Sequence, residues 1–338
     1  MGNMEVSSGK SRNEISKSFY ILSAFAILTV IMAHCTYQDE VTQRITDIFG
    51  TIGVPIFLIR GGYFYKNEGT LGEFLLKKVK RIVVPWIIWG TLTYILHCIS
   101  DGGFSIQGFV KWTVGYKTWL YYVPVILFCY FVFRFSVNIR YCICTMLVSF
   151  AFYILTIKKM VAMPFITDCQ NPFNWLFFFA AGVILSKTKI LSLLYKYKTI
   201  GGVISTIVAL CAGIAYYCYC DVNRITPSYW NAYSVAFEFI AAFWLLMLSM
   251  NLVSSCPNFA IDIGKNTYII FFAHMQIGIN IVNLLAWRIW DRVDFLPYLM
   301  VIIRPALILV VTYCVFVVIL KKIGKLIKVE KLLWIIGL

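Results

Sequence analysis

Ten long apolar segments run through this chain, with only short polar stretches between them. Hydrophobic residues make up 61% of the 338 residues, charged residues make up 13%, and the mean hydropathy is +0.81. A soluble domain carries about 25% charged residues. A helix that crosses a membrane needs about 20 mainly apolar residues. The segments are continuously apolar rather than alternating, which favours membrane helices over a transmembrane barrel.

These segments predict an all-α, polytopic membrane protein with about ten transmembrane helices. One transmembrane domain is expected over residues 19–320, after an N-terminal segment of residues 1–18 and before a basic tail of residues 321–338. The predicted spans are residues 19–37, 47–65, 82–100, 118–136, 141–157, 172–187, 200–220, 229–251, 262–290 and 297–320.

The distribution of basic residues predicts the orientation of the helices. With the N-terminus inside, 20 of the 30 Lys and Arg residues fall on the inner side and eight on the outer side. Cytoplasmic loops carry such an excess, so both termini are expected in the cytoplasm. The +15 net charge is therefore mainly a topology signal, although the inner basic loops also suit an anionic ligand such as a nucleotide. Nucleic-acid binding is not indicated, because no basic surface is interleaved with polar aromatic residues.

Six ionisable side chains stand out within the predicted spans. A charged side chain at the centre of a bilayer costs about 2.5–3.5 kcal/mol, so such residues face a bundle interior or an aqueous cavity. At a rise of 1.5 Å per residue, four of the six fall in one layer, roughly 18–24 Å from the inner side, whereas Arg60 falls at roughly 9 Å. The four are His34, Glu238, His274 and Arg304, and the sixth residue is His97. Together they predict a polar path across the membrane.

Several of these residues also have a structural interpretation. His97 precedes an outer loop, and Arg304 lies near an outer helix end, from which its side chain can reach the interface. Glu238 and Arg304 are able to form a structural ion pair.

The 11 cysteines lack metal-binding spacing, so no metal is expected.

Six short stretches form an ordered set of motifs. They are residues 20–34, ending in His34; 53–63, similar to VPLFFxxSGY; 78–86, similar to RxxRxxxPY; 119–124, similar to LWFLP; 177–182, similar to FxxGM; and 264–274, similar to GKxSYxIYxxH. In this order they resemble the acyltransferase-3 family of integral membrane acyltransferases over about residues 17–320. That family includes bacterial O-acetyltransferases of cell-surface polysaccharides.

One position departs from the family pattern. The family's first helix carries Arg eleven residues before its terminal His, where this chain has Ser23. The family's Ser in the second helix is here Arg60. Ser23 and Arg60 fall at similar heights, roughly 6 and 9 Å from the inner side. Our hypothesis is that the guanidinium has changed helices but kept its place.

The resemblance implies a membrane O-acyltransferase, an enzyme that transfers groups other than aminoacyl groups. Acetyl-CoA or another acyl-CoA in the cytoplasm is the implied donor, and a hydroxyl of a cell-surface or lipid-linked carbohydrate is the implied acceptor. The expected location is the cell (inner or plasma) membrane. The lipid bilayer and polysaccharide-assembly proteins are the further expected partners.

Acyl transfer assigns roles to the buried polar residues. A hydroxyl needs a base, and imidazole titrates near neutral pH. We expect His34 to be the general base, with His274 as a second base, an orienting partner or a transient acyl carrier. Arg60 is expected to hold CoA phosphate or the thioester, and Glu238 to set the protonation of a histidine. The residues expected to meet CoA phosphates at the inner mouth are Lys78, Arg81, Lys265 and Asn266.

Two other classes remain open at this point. A transporter or flippase for a glycan or small anion also needs buried Arg, Glu and His. The sequence shows no inverted repeat and no pair of Gly/Pro-broken helices, which argues against a transporter. A purely structural membrane protein leaves the intramembrane charges unexplained.

Overall fold

The computed structural model describes residues 2–101, 103–161, 166–231, 233–290 and 297–338, and within them the chain forms helices and no strand. The α-helices are α1 (Gly2–Met32), α2 (Glu40–Gly50), α3 (Gly53–Tyr63), α4 (Leu71–Lys78), α5 (Val84–Asp101), α6 (Ile106–Thr113), α7 (Tyr122–Phe135), α8 (Ile139–Ile157), α9 (Leu176–Lys187), α10 (Ile190–Lys196), α11 (Lys198–Val222), α12 (Ser234–Leu252), α13 (Asn258–Lys265), α14 (Thr267–Ala273), α15 (Asn280–Trp290), α16 (Pro297–Tyr313) and α17 (Leu320–Leu326). Wider π-helical turns cover Val79–Val83, His274–Ile279 and Cys314–Ile319, and 3₁₀ turns cover Trp119–Tyr121, Pro172–Asn174 and Glu330–Ile336.

The helices correspond to the ten predicted apolar segments. In the part of the chain that the structure describes, eight helical stretches are long and apolar enough to cross a membrane. The pair α9 and α10 makes a ninth, bent by 75°, and the predicted fourth span is a shorter apolar helix, Trp119–Phe135. The prediction of a polytopic all-α membrane protein is confirmed.

The bounds of the spans differ from the prediction in three places. α1 is continuous from Gly2, so the predicted N-terminal segment and the first span belong to one helix, and it ends at Met32, leaving His34 in a turn. The second span is divided into α2 and α3, and the ninth into α13, α14, a π-helical turn and α15. Apolarity reports which residues avoid water but not where one helix breaks, so these interruptions were missed. Arg292, predicted on the outer side, lies outside the described residues.

α1 lies against α3, α12, α13 and α16. Two contacts in the bundle bring backbones together where only glycine fits. A Cβ on Gly264 of α13 would lie 1.8 Å from the Tyr20 carbonyl oxygen of α1. A Cβ on Gly182 of α9 would lie 1.9 Å from the Ile59 carbonyl oxygen of α3. Small residues permit such close approach in membrane helix bundles.

The outward surface of the bundle is apolar. On α11, Val203, Ile207, Leu210 and Ile214 are each more than half exposed. In water such a patch would be an aggregation hazard, whereas in a bilayer it contacts lipid tails. The apolar stripe of α11 is therefore a lipid-facing surface.

Both termini lie on the same face of the bundle. Near the N-terminus, Tyr195 of α10 donates a hydrogen bond to Glu14. Near the C-terminus, Lys321 donates to Asn266, directly after α13, which packs on α1 beside Tyr20. The final segment folds back on α5, where the Trp89 indole donates to the Ile336 carbonyl over 3.0 Å. We call this side the inner face, in accordance with the predicted orientation, and the opposite side the outer face.

Candidate active site

Two histidines from distant parts of the chain lie side by side. The ring centroids of His34 and His274 are 5.3 Å apart. His34 is partly exposed in the turn after α1, whereas His274 is fully buried at the start of a π-helical turn. Single π-helical turns are frequent at functional sites. The structure thus brings together the two imidazoles that the sequence placed in one layer.

A backbone hydrogen bond sets the tautomer of His274. Its Nδ1 lies 2.6 Å from the carbonyl oxygen of Phe271. A carbonyl only accepts, so Nδ1 carries the proton, and a neutral ring then keeps its lone pair on Nε2. Nε2 is buried and has no hydrogen-bond partner among the described residues. His274 therefore presents an oriented nitrogen base in a site closed to solvent.

The turn that carries His34 is tied to the last membrane helices. Arg304 of α16 donates to the Thr36 carbonyl over 2.7 Å and to Asn283 of α15 over 3.1 Å. Its guanidinium also lies 5.6 Å from the centre of the Tyr37 ring. Arg304 thus holds the chain that follows His34, and the predicted ion pair of Arg304 with Glu238 is not among these contacts.

The same turn ends in a helix cap. Asp39 precedes α2 and accepts hydrogen bonds from the side chain and the backbone N–H of Thr42, at 2.5 and 2.7 Å. These bonds favour the ionised carboxylate and hold the pKa of Asp39 below its ordinary value. The cap fixes where α2 begins and so limits the length of the His34 turn.

A cavity of about 520 Å³ opens among basic residues near the inner face. Among the described residues, Glu68 is the acidic residue that lines it, and the basic lining residues are Arg60, Lys66, Lys77, Lys78 and Arg81. Aromatic rings line it as well, and the Lys78 ammonium lies 3.3 Å from the centre of the Tyr130 ring. Such a cavity suits a ligand that is anionic at one end and apolar at the other.

The far end of this cavity lies one side chain away from the histidine pair. Tyr122 lines the cavity, and its ring centroid is 5.4 Å from that of Phe271. The Phe271 ring is in turn 6.0 Å from the His274 ring, and the backbone carbonyl of Phe271 accepts the hydrogen bond from His274 Nδ1. Packed aromatic rings thus lie between the cationic cavity and the histidine pair, and the predicted polar path between them stays a prediction.

Arg60 and Lys265 meet at the first helix. The centre of the Tyr20 ring lies 5.8 Å from the Arg60 guanidinium and 5.5 Å from the Lys265 ammonium. Ser23 is one turn further along α1, fully buried, and donates to the Phe19 carbonyl. The Arg60 guanidinium is therefore held beside the part of α1 that carries Ser23. Its Nε is buried without a hydrogen-bond partner among the described residues.

Two other predicted residues lie apart from the cavity and the histidines. Glu238 is 1% exposed and sits among phenols close enough to interact with it electrostatically, namely Tyr121, Tyr153, Tyr216 and Tyr229. Asn266 donates to the Asp262 carbonyl and accepts from Lys321, so its amide ends α13 rather than lining the cavity. Lys78 and Arg81, by contrast, do line it.

A smaller cavity of about 200 Å³ lies near the outer face. Tyr94, His97, Lys111, Trp112 and Tyr116 line it. The rings of His97 and Trp112 are stacked, with centroids 4.5 Å apart. The Trp112 indole donates to Thr93 over 3.1 Å, which fixes its orientation. This cavity is thus a preformed surface of aromatic rings and polar groups.

Sequence reasoning assigned no role to several residues of the site. Trp119 lies between the outer cavity and the histidines, with its ring centroid 5.7 Å from Trp112 and 6.4 Å from His274. Tyr122 and Tyr130 of α7 line the inner cavity. These two tyrosines are eight residues apart in an apolar helix, a spacing that places them on one face and was a usable signal.

The fold and the site define a multi-pass membrane protein in which a pair of histidines, one of them fully buried, lies above a cationic cavity near the inner face. The acyltransferase-3 family, described as an acyltransferase domain, matches residues 20–335, nearly the whole chain. The chain belongs to this family and is a membrane acyltransferase. No curated protein and no solved structure matches the chain.

Proposed function

We propose that this protein transfers an acyl group, with acetyl as the expected case, from cytoplasmic acyl-CoA to a carbohydrate hydroxyl at the outer face of the cell membrane. One observation carries the proposal: the cationic inner cavity ends one side chain away from a buried imidazole whose Nε2 is unoccupied by any described residue. This arrangement places a donor held from the inner side close to a base near the outer side.

The donor occupies the inner cavity in this scheme. The phosphates of CoA meet Lys77, Lys78 and Arg81 at the mouth, where charge-assisted hydrogen bonds are strongest for ionised partners. From the mouth of the cavity, the thioester end of CoA extends into the membrane, past Arg60 and toward Tyr122. Lys265 shares the Tyr20 ring with Arg60 and adds positive charge beside the cavity. Asn266 contributes no direct contact, because its amide is committed to the end of α13.

The histidine pair supplies the base, with its roles exchanged relative to the sequence prediction. His274 Nε2 takes the proton of the acceptor hydroxyl as the hydroxyl oxygen forms a bond to the thioester carbon. The C–S bond then breaks, and the proton passes to the sulfur, so the products are an ester and CoA with a free thiol. His34, the partly exposed member of the pair, orients the acceptor hydroxyl. General bases of this kind contribute about 10²–10⁴-fold to the rate.

The outer cavity receives the acceptor. Aromatic rings offer broad apolar faces to the C–H faces of a sugar, while Lys111 and His97 offer polar contacts at the edges. Trp112 and Trp119 connect this cavity to His274 by successive ring contacts. A sugar bound there has its hydroxyls directed along the route to the base.

Transfer of labelled acetyl groups tests this function. Purified protein in phosphatidylethanolamine–phosphatidylglycerol vesicles is given acetyl-CoA labelled in the acetyl group and membrane glycans as acceptor. We expect label in the glycan with the wild-type protein, and its loss when His34 and His274 are both changed to Ala. A transporter or flippase would move glycan between the two sides of the vesicle without incorporating label, and that result would exclude the proposal.

A further inference from the structure

Two rings in contact near the outer face each carry a buried polar atom without a partner. Trp119 Nε1 and His274 Nε2 have no hydrogen-bond partner among the described residues. Their ring centroids are 6.4 Å apart and their planes differ by 70°. Trp119 Nε1 is a hydrogen-bond donor. His274 Nε2 is an acceptor, because the proton of the neutral ring is on Nδ1. A buried polar group left unpaired is costly, so this pair points to a ligand that satisfies both.

Other indoles of this chain satisfy their N–H groups within the protein. Trp86 donates to the Thr113 carbonyl, Trp89 to the Ile336 carbonyl and Trp175 to the Cys169 carbonyl, at 2.8–3.0 Å. Buried tryptophans ordinarily find such partners. Trp119 is 6% exposed, about as buried as Trp89 and Trp175, so solvent does not account for its missing partner.

The position of Trp119 is fixed by its neighbours. Trp119 is the first residue of the 3₁₀ turn that precedes α7. Its ring packs against the Trp112 ring with an interplanar angle of 84°, and the Trp112 indole in turn donates a hydrogen bond to Thr93. On its other side, Trp119 contacts His274, whose ring is held by Phe271. Its N–H is thus preorganised, and a fixed donor in a dry site is the arrangement that stabilises charge developing in a transition state.

We infer that Trp119 is a catalytic residue whose indole N–H donates to the thioester carbonyl oxygen as that oxygen becomes negatively charged. The inference rests on the proposed function, since it assigns a second group to the same reaction. When the hydroxyl oxygen bonds to the thioester carbon, its proton moves to His274 Nε2 and the carbonyl electron pair moves to the oxygen. When the C–S bond breaks, that pair re-forms the carbonyl and the sulfur leaves with the proton.

A donor and a base on adjacent rings suit this step. The attacked carbon must lie near both the nucleophile and the group that holds its oxygen. An indole N–H carries no charge and does not ionise, so its burial needs no counter-ion and it does not compete with His274 for the proton. The Phe271 ring, which contacts both Tyr122 and His274, separates this point from the inner cavity that holds the donor.

The test is Trp119→Phe, with Trp175→Phe as the matched control. Trp119→Phe keeps an aromatic ring and removes the N–H, and we expect kcat to fall by about 10²–10³-fold, the loss typical of a single oxyanion donor. KM for acetyl-CoA should change less than about twofold, since the donor acts chiefly in the transition state. No hydrogen bond to a described residue is lost, so the midpoint of thermal unfolding in detergent should not fall. Trp175→Phe, which loses its bond to Cys169, should show the reverse: a lower midpoint with kcat retained.

The outcomes separate this inference from the proposed function. If wild-type protein transfers label and Trp119→Phe keeps its kcat, the inference is wrong while the proposed function stands. A fall in kcat accompanied by a lower unfolding midpoint, like that of Trp175→Phe, would assign Trp119 a structural role and also overturn the inference. If wild-type protein transfers no label, the proposed function itself has failed.

Discussion

The inner cavity and the histidine pair differ in how many side chains their expected functions need. Binding of the donor in the cavity uses several basic side chains, whereas the chemistry at the histidine pair uses very few atoms. The cavity is wide, reaches the inner face and carries five basic side chains, several of them exposed. The histidine site depends on one buried, oriented nitrogen of His274 and its neighbours. In the cavity, several basic side chains each contribute part of the positive charge that binds the donor. At the histidine site, the expected chemistry depends on a few atoms. Single substitutions should therefore change binding gradually in the cavity and chemistry abruptly at the histidines.

The largest effect is expected at His274. His274→Gln removes the base nitrogen but retains a polar side chain, and we expect kcat for acetyl transfer to fall by about 10²–10⁴-fold. His34→Gln should cost less, because the orienting histidine is aided by the acceptor's other contacts. Steady-state kinetics of both variants measures the comparison. A larger loss for His34→Gln would return the base role to His34, as the sequence predicted.

The second largest effect is expected for substitution of Arg60, which lines the cavity at its membrane-embedded end. Arg60→Ser removes a charged hydrogen-bond donor worth about 1.5–3 kcal/mol, so we expect KM for acetyl-CoA to rise by at least about tenfold. Ser23→Arg alone should destabilise the protein, since Ser23 is fully buried. In the double variant Ser23→Arg with Arg60→Ser, the guanidinium returns to α1 and KM should recover. Unchanged kinetics of Arg60→Ser would contradict the idea that the cation changed helices.

A smaller and graded effect is expected at the cavity mouth. Arg81 is exposed, and an exposed charge contact contributes about 0.2–1 kcal/mol. Arg81→Ala should therefore raise KM for acetyl-CoA by about twofold to fivefold, and the difference from wild type should shrink at high salt. Arg140→Ala is the control, since Arg140 is an exposed basic residue that does not line the cavity. Equal effects of the two variants would mean that general surface charge, and not the cavity, attracts the donor.

The smallest effect is expected at Glu238. Its neighbours are tyrosines, such as Tyr153 and Tyr229, rather than the two histidines. Glu238→Gln has the same shape and no charge, so kcat should change less than about twofold. The rate of acetyl transfer at pH 6, 7 and 8 measures this. A tenfold loss, or a displaced pH profile, would show that Glu238 acts on a histidine, as the sequence predicted.

Height in the membrane was predictable from the sequence, but position around the helix axis was not. Counting residues at 1.5 Å each placed His34 and His274 in one layer, and their rings are in fact neighbours. The same count placed Glu238 in that layer, yet it points into a cluster of phenols. The count fixes how far along its helix a residue lies, but neither the rotation of that helix nor its neighbours.

The motifs that identified the family combine packing with chemistry. Gly182 and Gly264 are motif residues, and the structure shows that each permits a backbone contact that any Cβ would prevent. His274 ends the same motif that contains Gly264 and carries the unpartnered nitrogen. The sequence pattern alone did not separate these two kinds of residue. Nor did it give Trp119 a role, since an unpaired N–H is visible only when its surroundings are known.

The most direct test of the account is the sidedness of acyl transfer in sealed membrane vesicles of known orientation. Labelled acetyl-CoA is supplied either at the inner face or at the outer face, with a membrane-impermeant glycan acceptor at the outer face in both cases. We expect label on the acceptor only when the donor is at the inner face, and a labelling rate lower by about 10²-fold or more with His274→Gln. Equal labelling from donor at the outer face, or labelling that persists in the double variant His34→Ala with His274→Ala, would contradict the account.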